Sequence, residues 1–229
     1  MSQDVPVINE ETRFLATPEN GEVSALLTRP TDATHLLVLG HGASTNMRHA
    51  TMQSIADALA QEKIATFRYN FPYSEKGGGR NSTATCVATI RSAVAAAAKA
   101  APDLPLLAGG HSFGGRMTST AQAEQALDGV NGLVFFSFPL HPAGKPDTQR
   151  AVHLSGILLP MLFLSGTRDA LAEPDLLEPT IKSLGNRATL HLIDTADHSY
   201  KILKKSRSSD EDVFTEMARA VREWADSAF

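Results

Sequence analysis

The sequence predicts an α/β protein, a mostly parallel central sheet with helices on both faces. Three observations carry that expectation. Short apolar runs alternate with longer helix-prone segments along the chain, the strand–helix rhythm of a parallel sheet. The runs are continuously apolar rather than alternating, as strands buried on both faces require. The 229 residues contain no repeat and no linker-like shift in composition, so residues 1–229 read as a single domain.

The elements follow in order. Residues 22–30 (EVSALLTRP) read as an early strand and 35–40 (HLLVLG) as a short buried one. Residues 51–63 place Met52, Ile55, Ala56 and Leu59 at helical spacing. A strand at 64–70, a loop at SEKGGGRN and an alanine-rich helix at 83–100 come next. Residues 104–110 (LPLLAGG) are a strand and 113 to about 127 a helix. Three further strands are expected at 130–138, 159–166 and 188–193. The C-terminal segment puts Val213, Phe214, Met217, Val221 and Trp224 on one helical face, with Ser209 and Asp212 as a capping pair before it.

Composition removes several classes of function. The formal net charge is −4 and no basic stripe dominates, which speaks against nucleic acid as a partner. The basic run YKILKKSR (200–207) reads as a solvated face. Cys86 is the only cysteine, so no disulfide forms within the chain, no thiolate metal site is expected, and a buried, inert thiol is the default reading. The N-terminal MSQDVPVINEE is acidic and lacks the apolar core of a signal peptide. The apolar stretch at 156–164 is too short to span a bilayer. The expectation is a cytoplasmic protein without membrane contact.

In parallel sheets, chemistry gathers at the carboxyl ends of the strands. The stretch LLAGGHSFGGRM (106–117) puts Ser112 at such an end, just before a helix, with Gly110 and Gly114 two residues to either side. A strand-to-helix elbow strains the backbone of its central residue, and side chains at the flanking positions would collide with it. The pattern fits a serine nucleophile. A phosphate cradle fits poorly, because no Walker lysine and no GxGxxG spacing is present. A serine hydroxyl needs a base, and the base an orienting carboxylate. Asp169 follows the strand at 159–166 and His198 the strand at 188–193, in the chain order this architecture uses. Asp194 and Asp197 share a loop with His198 and fit the orienting role less well, and Glu173 less again. His35, His153 and His191 lack a strand-end context. The expected oxyanion donors are the Phe113 N–H, just after the serine, and the Ala43 N–H in the loop GHGASTN.

With these pieces in place, the chain resembles the α/β-hydrolases from about residue 22 to 224. The segments GHGASTNMRH, FRYNFPY, GGHSFGGRM, FPLHPAGKP, GTRDAL and ADHSYK carry the likeness. It is most similar to a small, lidless, dienelactone-hydrolase-like branch that includes testis-expressed proteins and a subunit of the NSL acetyltransferase complex. The resemblance implies Ser112 as nucleophile, Asp169 as acid and His198 as base. The chain departs from the branch at Ser44, His111 and Phe113, positions often held by glycine, lysine and methionine. Serine in place of a cysteine nucleophile argues against dienelactone as the substrate. The gap from about 139 to 159, where this superfamily carries a lid, is too short for a cap domain.

The expected activity is that of a serine hydrolase, a carboxylesterase acting on small or exposed acyl esters through an acyl-enzyme, with no metal and no organic cofactor. A non-catalytic interaction protein on the same fold, and a serine peptidase or acyltransferase, are the alternatives. Candidates for the substrate pocket are His41, Ser44, Tyr73, His111 and His141, with the His41 side chain read first as structural. The glycine run between Lys76 and Arg80 reads first as a flexible loop and second as a site for an anionic group. The partner is a small-molecule ester; the sequence leaves the oligomeric state open.

Overall fold

The computed structural model describes residues 6–228. Residues 1–5, which begin the segment read above as no signal peptide, lie outside that range, as does residue 229. Eight strands form one sheet: β1 (Val7–Thr17), β2 (Gly21–Pro30), β3 (His35–Gly40), β4 (Ile64–Tyr69), β5 (Leu106–His111), β6 (Val130–Phe136), β7 (Met161–Gly166) and β8 (Ala188–Ile193). Their order is β1-β2-β4-β3-β5-β6-β7-β8. The β1–β2 and β2–β4 pairs are antiparallel and every other pair is parallel. The carboxyl ends of β3 through β8 therefore face one edge.

The helices are α1 (Ala50–Gln61), α2 (Pro72–Lys76), α3 (Thr83–Ala100), α4 (Phe113–Glu124), α5 (Pro174–Lys182) and α6 (Val213–Ala228). Sheet residues alternate between two cores. Leu36 and Val38 join Ile90, Val94, Met117 and Leu177, which places α3, α4 and α5 on one face. Leu37 and Leu39 join Ile55, Leu59, Met217 and Trp224, which places α1 and α6 on the other. Strands β3, β4, β5 and β7 are buried along their whole length, consistent with their unbroken apolar runs.

Three elements escaped the sequence pattern. Strand β1 is mostly exposed and has no apolar run. Helix α5 carries Pro174 in its first turn and Pro179 inside it, which weakens helix propensity. Helix α2 is a single short turn entered through Pro72. The cap of α6 is also simpler than expected. Asp212 alone accepts from the Phe214 and Thr215 N–H groups at 2.9 and 3.2 Å, while Ser209 accepts from Glu211 at 3.1 Å. Between β6 and β7 lies a 3-10 segment, Gln149–Gly156, and no separate cap domain. Among the described residues no helix is long and apolar enough to cross a membrane.

Candidate active site

Strand β5 ends at His111 and α4 begins at Phe113, so Ser112 alone makes the turn between them. Its backbone sits at φ 52° and ψ −114°, a left-handed conformation that costs a non-glycine residue about 1–3 kcal/mol. The surrounding glycines explain why the chain can turn there. A Cβ on Gly110 would lie 2.5 Å from the Gly40 carbonyl oxygen, and one on Gly114 would lie 2.8 Å from the His41 carbonyl oxygen. Helix α4 thus meets the end of β3 backbone to backbone, and any side chain at these positions would force them apart. The Ser112 N–H donates to the Phe136 carbonyl at 2.8 Å, which pins the turn to β6.

Asp169 lies just beyond β7 and His198 just beyond β8, and both come to the serine. His198 Nε2 is 2.8 Å from Ser112 Oγ. His198 Nδ1 is 2.9 and 2.8 Å from the two carboxylate oxygens of Asp169. A carboxylate only accepts, so Nδ1 carries the proton and Nε2 presents its lone pair to the serine hydroxyl. The Asp169 side chain is fully buried while His198 keeps 22% exposure, so the chain of contacts runs from solvent inward. Asp169 Oδ1 also accepts from the Leu171 N–H at 2.9 Å.

The competing carboxylates are occupied elsewhere. Asp197 Oδ1 accepts from the Ser199 and Lys201 N–H groups and so shapes the His198 loop. Asp194 is held by Ser208 through two hydrogen bonds. Glu173 lies 2.5 Å from His141 Nε2.

The Phe113 N–H heads α4, where first-turn donors have no acceptor within the helix. The Ala43 N–H donates to no acceptor among the described residues. Ala43, Ser44 and Tyr73 line an open depression of about 500 Å³ together with Asn46, Ser74 and Arg80. A larger cavity, about 1010 Å³, lies between α5 and β8, and neither it nor the depression is lined by Ser112, Asp169 or His198.

Three of the five pocket candidates do not line an open surface. His41 is fully buried. Its Nε2 accepts from the Phe71 N–H at 3.2 Å, and its Nδ1 is 2.7 Å from the Gly42 carbonyl. Burial pulls its pKa down to about 4. His111 is packed behind the His198 loop, with ring centroids 5.7 Å apart, and its pKa falls to about 4 by burial and then by the charge of His198. His141 is fully buried against Glu173. Strand-end position had located these side chains along the sheet but not the direction in which they point. His153 pairs with Ser119 at 2.7 Å and His191 with Glu216 at 3.0 Å. Cys86 is buried, and burial pushes its thiol up to about 11.

Comparison with known proteins agrees with this architecture. Residues 33–226 match the family described as alpha/beta hydrolase domain. The chain belongs to that family, and membership supports hydrolysis as the class of reaction. Similar solved structures include a dienelactone hydrolase from Anabaena variabilis, 16% identical with a TM-score of 0.74, covering 97% of this chain and 99% of that one. The α/β serine hydrolase without lid XC6422 from Xanthomonas campestris is 17% identical with a TM-score of 0.71, covering 95% and 94%. Est1E from Butyrivibrio proteoclasticus, solved with bound ferulic acid, is 18% identical with a TM-score of 0.70, covering 90% and 95%.

Proposed function

We propose that the chain is a carboxylesterase that uses Ser112, His198 and Asp169 as a catalytic triad. The observation that carries this reading is the unbroken hydrogen-bonded chain from Ser112 Oγ through His198 to Asp169, each contact at 2.8–2.9 Å, on a serine held in strained backbone. An interaction protein has no use for that strain or for that chain of contacts.

In the first half-reaction, Ser112 Oγ attacks the ester carbonyl carbon while its proton passes to His198 Nε2. The buried Asp169 carboxylate stabilises the imidazolium and holds its orientation. The tetrahedral oxyanion accepts from the Ala43 and Phe113 N–H groups, each donor being worth roughly 10²–10³ in rate. Collapse breaks the bond to the alcohol, which leaves with the proton from His198 Nε2. Water then attacks the acyl-serine, giving its proton to His198, and the acid departs as Ser112 Oγ recovers a proton. The net change is ester plus water to acid plus alcohol. The missing cap favours small acyl groups, or ones that project from a larger molecule.

The test is covalent labelling with a fluorophosphonate, read by intact mass and peptide mapping, alongside turnover of p-nitrophenyl esters of graded chain length. Labelling on Ser112 that disappears in Ser112→Ala and slows strongly in His198→Ala is expected. A folded wild-type protein that takes no label would overturn the reading.

A further inference from the structure

Arg116 lies one helical turn beyond Ser112, its main-chain N–H donating to the Ser112 carbonyl at 3.1 Å. Its half-buried guanidinium stands 5.7 Å from the centre of the Phe113 ring. Arg80, from the glycine-rich loop, stands 5.2 Å from the same ring and lines the depression that Ala43 shares. Arg150, in the 3-10 segment after β6, is a further positive charge that pulls the Arg116 pKa down.

Among the described residues, none of these three guanidinium groups has a hydrogen bond or an ion pair. Every other arginine of the chain reaches a carboxylate, a carbonyl, an amide or a hydroxyl. Two of the three, Arg116 and Arg80, thus stand over the ring of the residue that follows Ser112. Contact with the ring offsets little of what burial and repulsion cost Arg116. Burial and the Arg150 and Arg80 charges together pull the Arg116 pKa below the ordinary arginine value. A fold that only needed solubility there would leave the Arg116 side chain in water or pair it.

We propose that Arg116 and Arg80 form an anion subsite beside Ser112, and that the substrate is an ester carrying a phosphate monoester group. This rests on the hydrolase reading above. Charge balance selects phosphate. A carboxylate would offset one of the two charges, whereas a phosphate monoester near neutral pH carries close to two. Its oxygens can accept from two guanidinium forks at once.

The test compares kcat/KM for 1-butyrylglycerol 3-phosphate with that for 1-butyrylglycerol, and for the p-nitrophenyl half-ester of succinate with that for p-nitrophenyl butyrate. The phosphate pair is expected to favour the anion by at least about tenfold, the scale of one charge-assisted hydrogen bond. That ratio should shrink as salt is raised and collapse in Arg116→Gln and Arg80→Gln. Arg80 is exposed on a loop, so its variant reads recognition without a folding penalty. Lys99→Gln, at the far end of α3, should leave the ratio intact. A ratio near one, a ratio that survives both arginine variants, or a larger preference for the carboxylate overturns the proposal.

Calorimetry of glycerol 3-phosphate with Ser112→Ala separates the two readings. Binding that requires Arg116, in a protein whose Ser112 takes no fluorophosphonate, keeps the subsite and removes the esterase. Turnover of neutral esters with no such binding keeps the esterase and removes the subsite.

Discussion

His111 Nε2 lies 3.2 Å from the main-chain carbonyl of His198, so the residue before the elbow serine holds the loop that carries its hydrogen-bond partner. A carbonyl only accepts, which fixes the proton on His111 Nε2. The ring is neutral, because burial first and the His198 charge second hold its pKa at about 4. His41, neutral for reasons of burial, sits at about 4 as well.

These two histidines make stability depend on pH in a defined window. Unfolded imidazoles titrate near their ordinary value of 6.5, whereas the folded ones titrate at about 4. As pH falls below 6.5 the unfolded chain takes up protons that the folded chain refuses, so stability drops until about pH 4 and then levels. Each histidine should remove about 2 kcal/mol between pH 7 and pH 5. Urea unfolding at the two pH values measures the drop, and His111→Gln should reduce it by the His111 share. A variant with the wild-type pH dependence would show that His111 is already charged in the folded protein.

Asp169→Asn should leave the fold intact and lower kcat by about 10⁴, the effect of losing the charge that sets the histidine tautomer. Asp197→Asn keeps its Oδ1 acceptor for the loop and should change kcat by less than about tenfold. Steady-state kinetics on p-nitrophenyl esters gives both values. Equal losses in the two variants would count against Asp169 as the orienting carboxylate.

Gly114→Ala should cost more than about 3 kcal/mol, since its Cβ would press on the main chain of Gly40 and His41. Gly79→Ala meets no atom within 4 Å and should be nearly neutral. Chemical denaturation of the pair tests whether the contact of α4 with β3 sets the elbow.

Cys86 is the sole cysteine and its thiol is pushed up to about 11 by burial. Folded protein should resist a disulfide reagent at pH 8 and react fully in urea, with hydrolysis unaffected in Cys86→Ala. Rapid modification of the native protein would mean that α3 opens readily.

The parallel part of the fold was legible because its strands are buried on both sides. The runs at Leu36–Leu39, Leu106–Ala108 and Met161–Leu164 have no polar face to disguise them. Strand β1 lies at the rim and shows Glu10, Glu11 and Arg13 to solvent, so its pairing with β2 sets its structure more than its composition does. Helix α5 hid behind its prolines. At the site, the positions of Ser112, Asp169 and His198 followed from which residues stand at strand ends, and the structure brings them together. The directions of His41, His111 and His141 depend on which neighbours take up their ring nitrogens, and those neighbours come from distant parts of the chain. The sequence offered the loop ending at Arg80 as a second-choice site for an anionic group, but its meeting with Arg116 over Phe113 was illegible, because the two share no segment and no spacing.

The three residues of the hydrogen-bonded chain stand at the ends of β5, β7 and β8, and β8 is both the last strand in sequence and the rim of the sheet. A chain cut before β8 would keep Ser112 and Asp169 but lack His198, so under the proposed mechanism its serine would stay an ordinary alcohol. The time at which Ser112 becomes labelled during refolding would then report when β8 and the loop after it join the rest of the sheet.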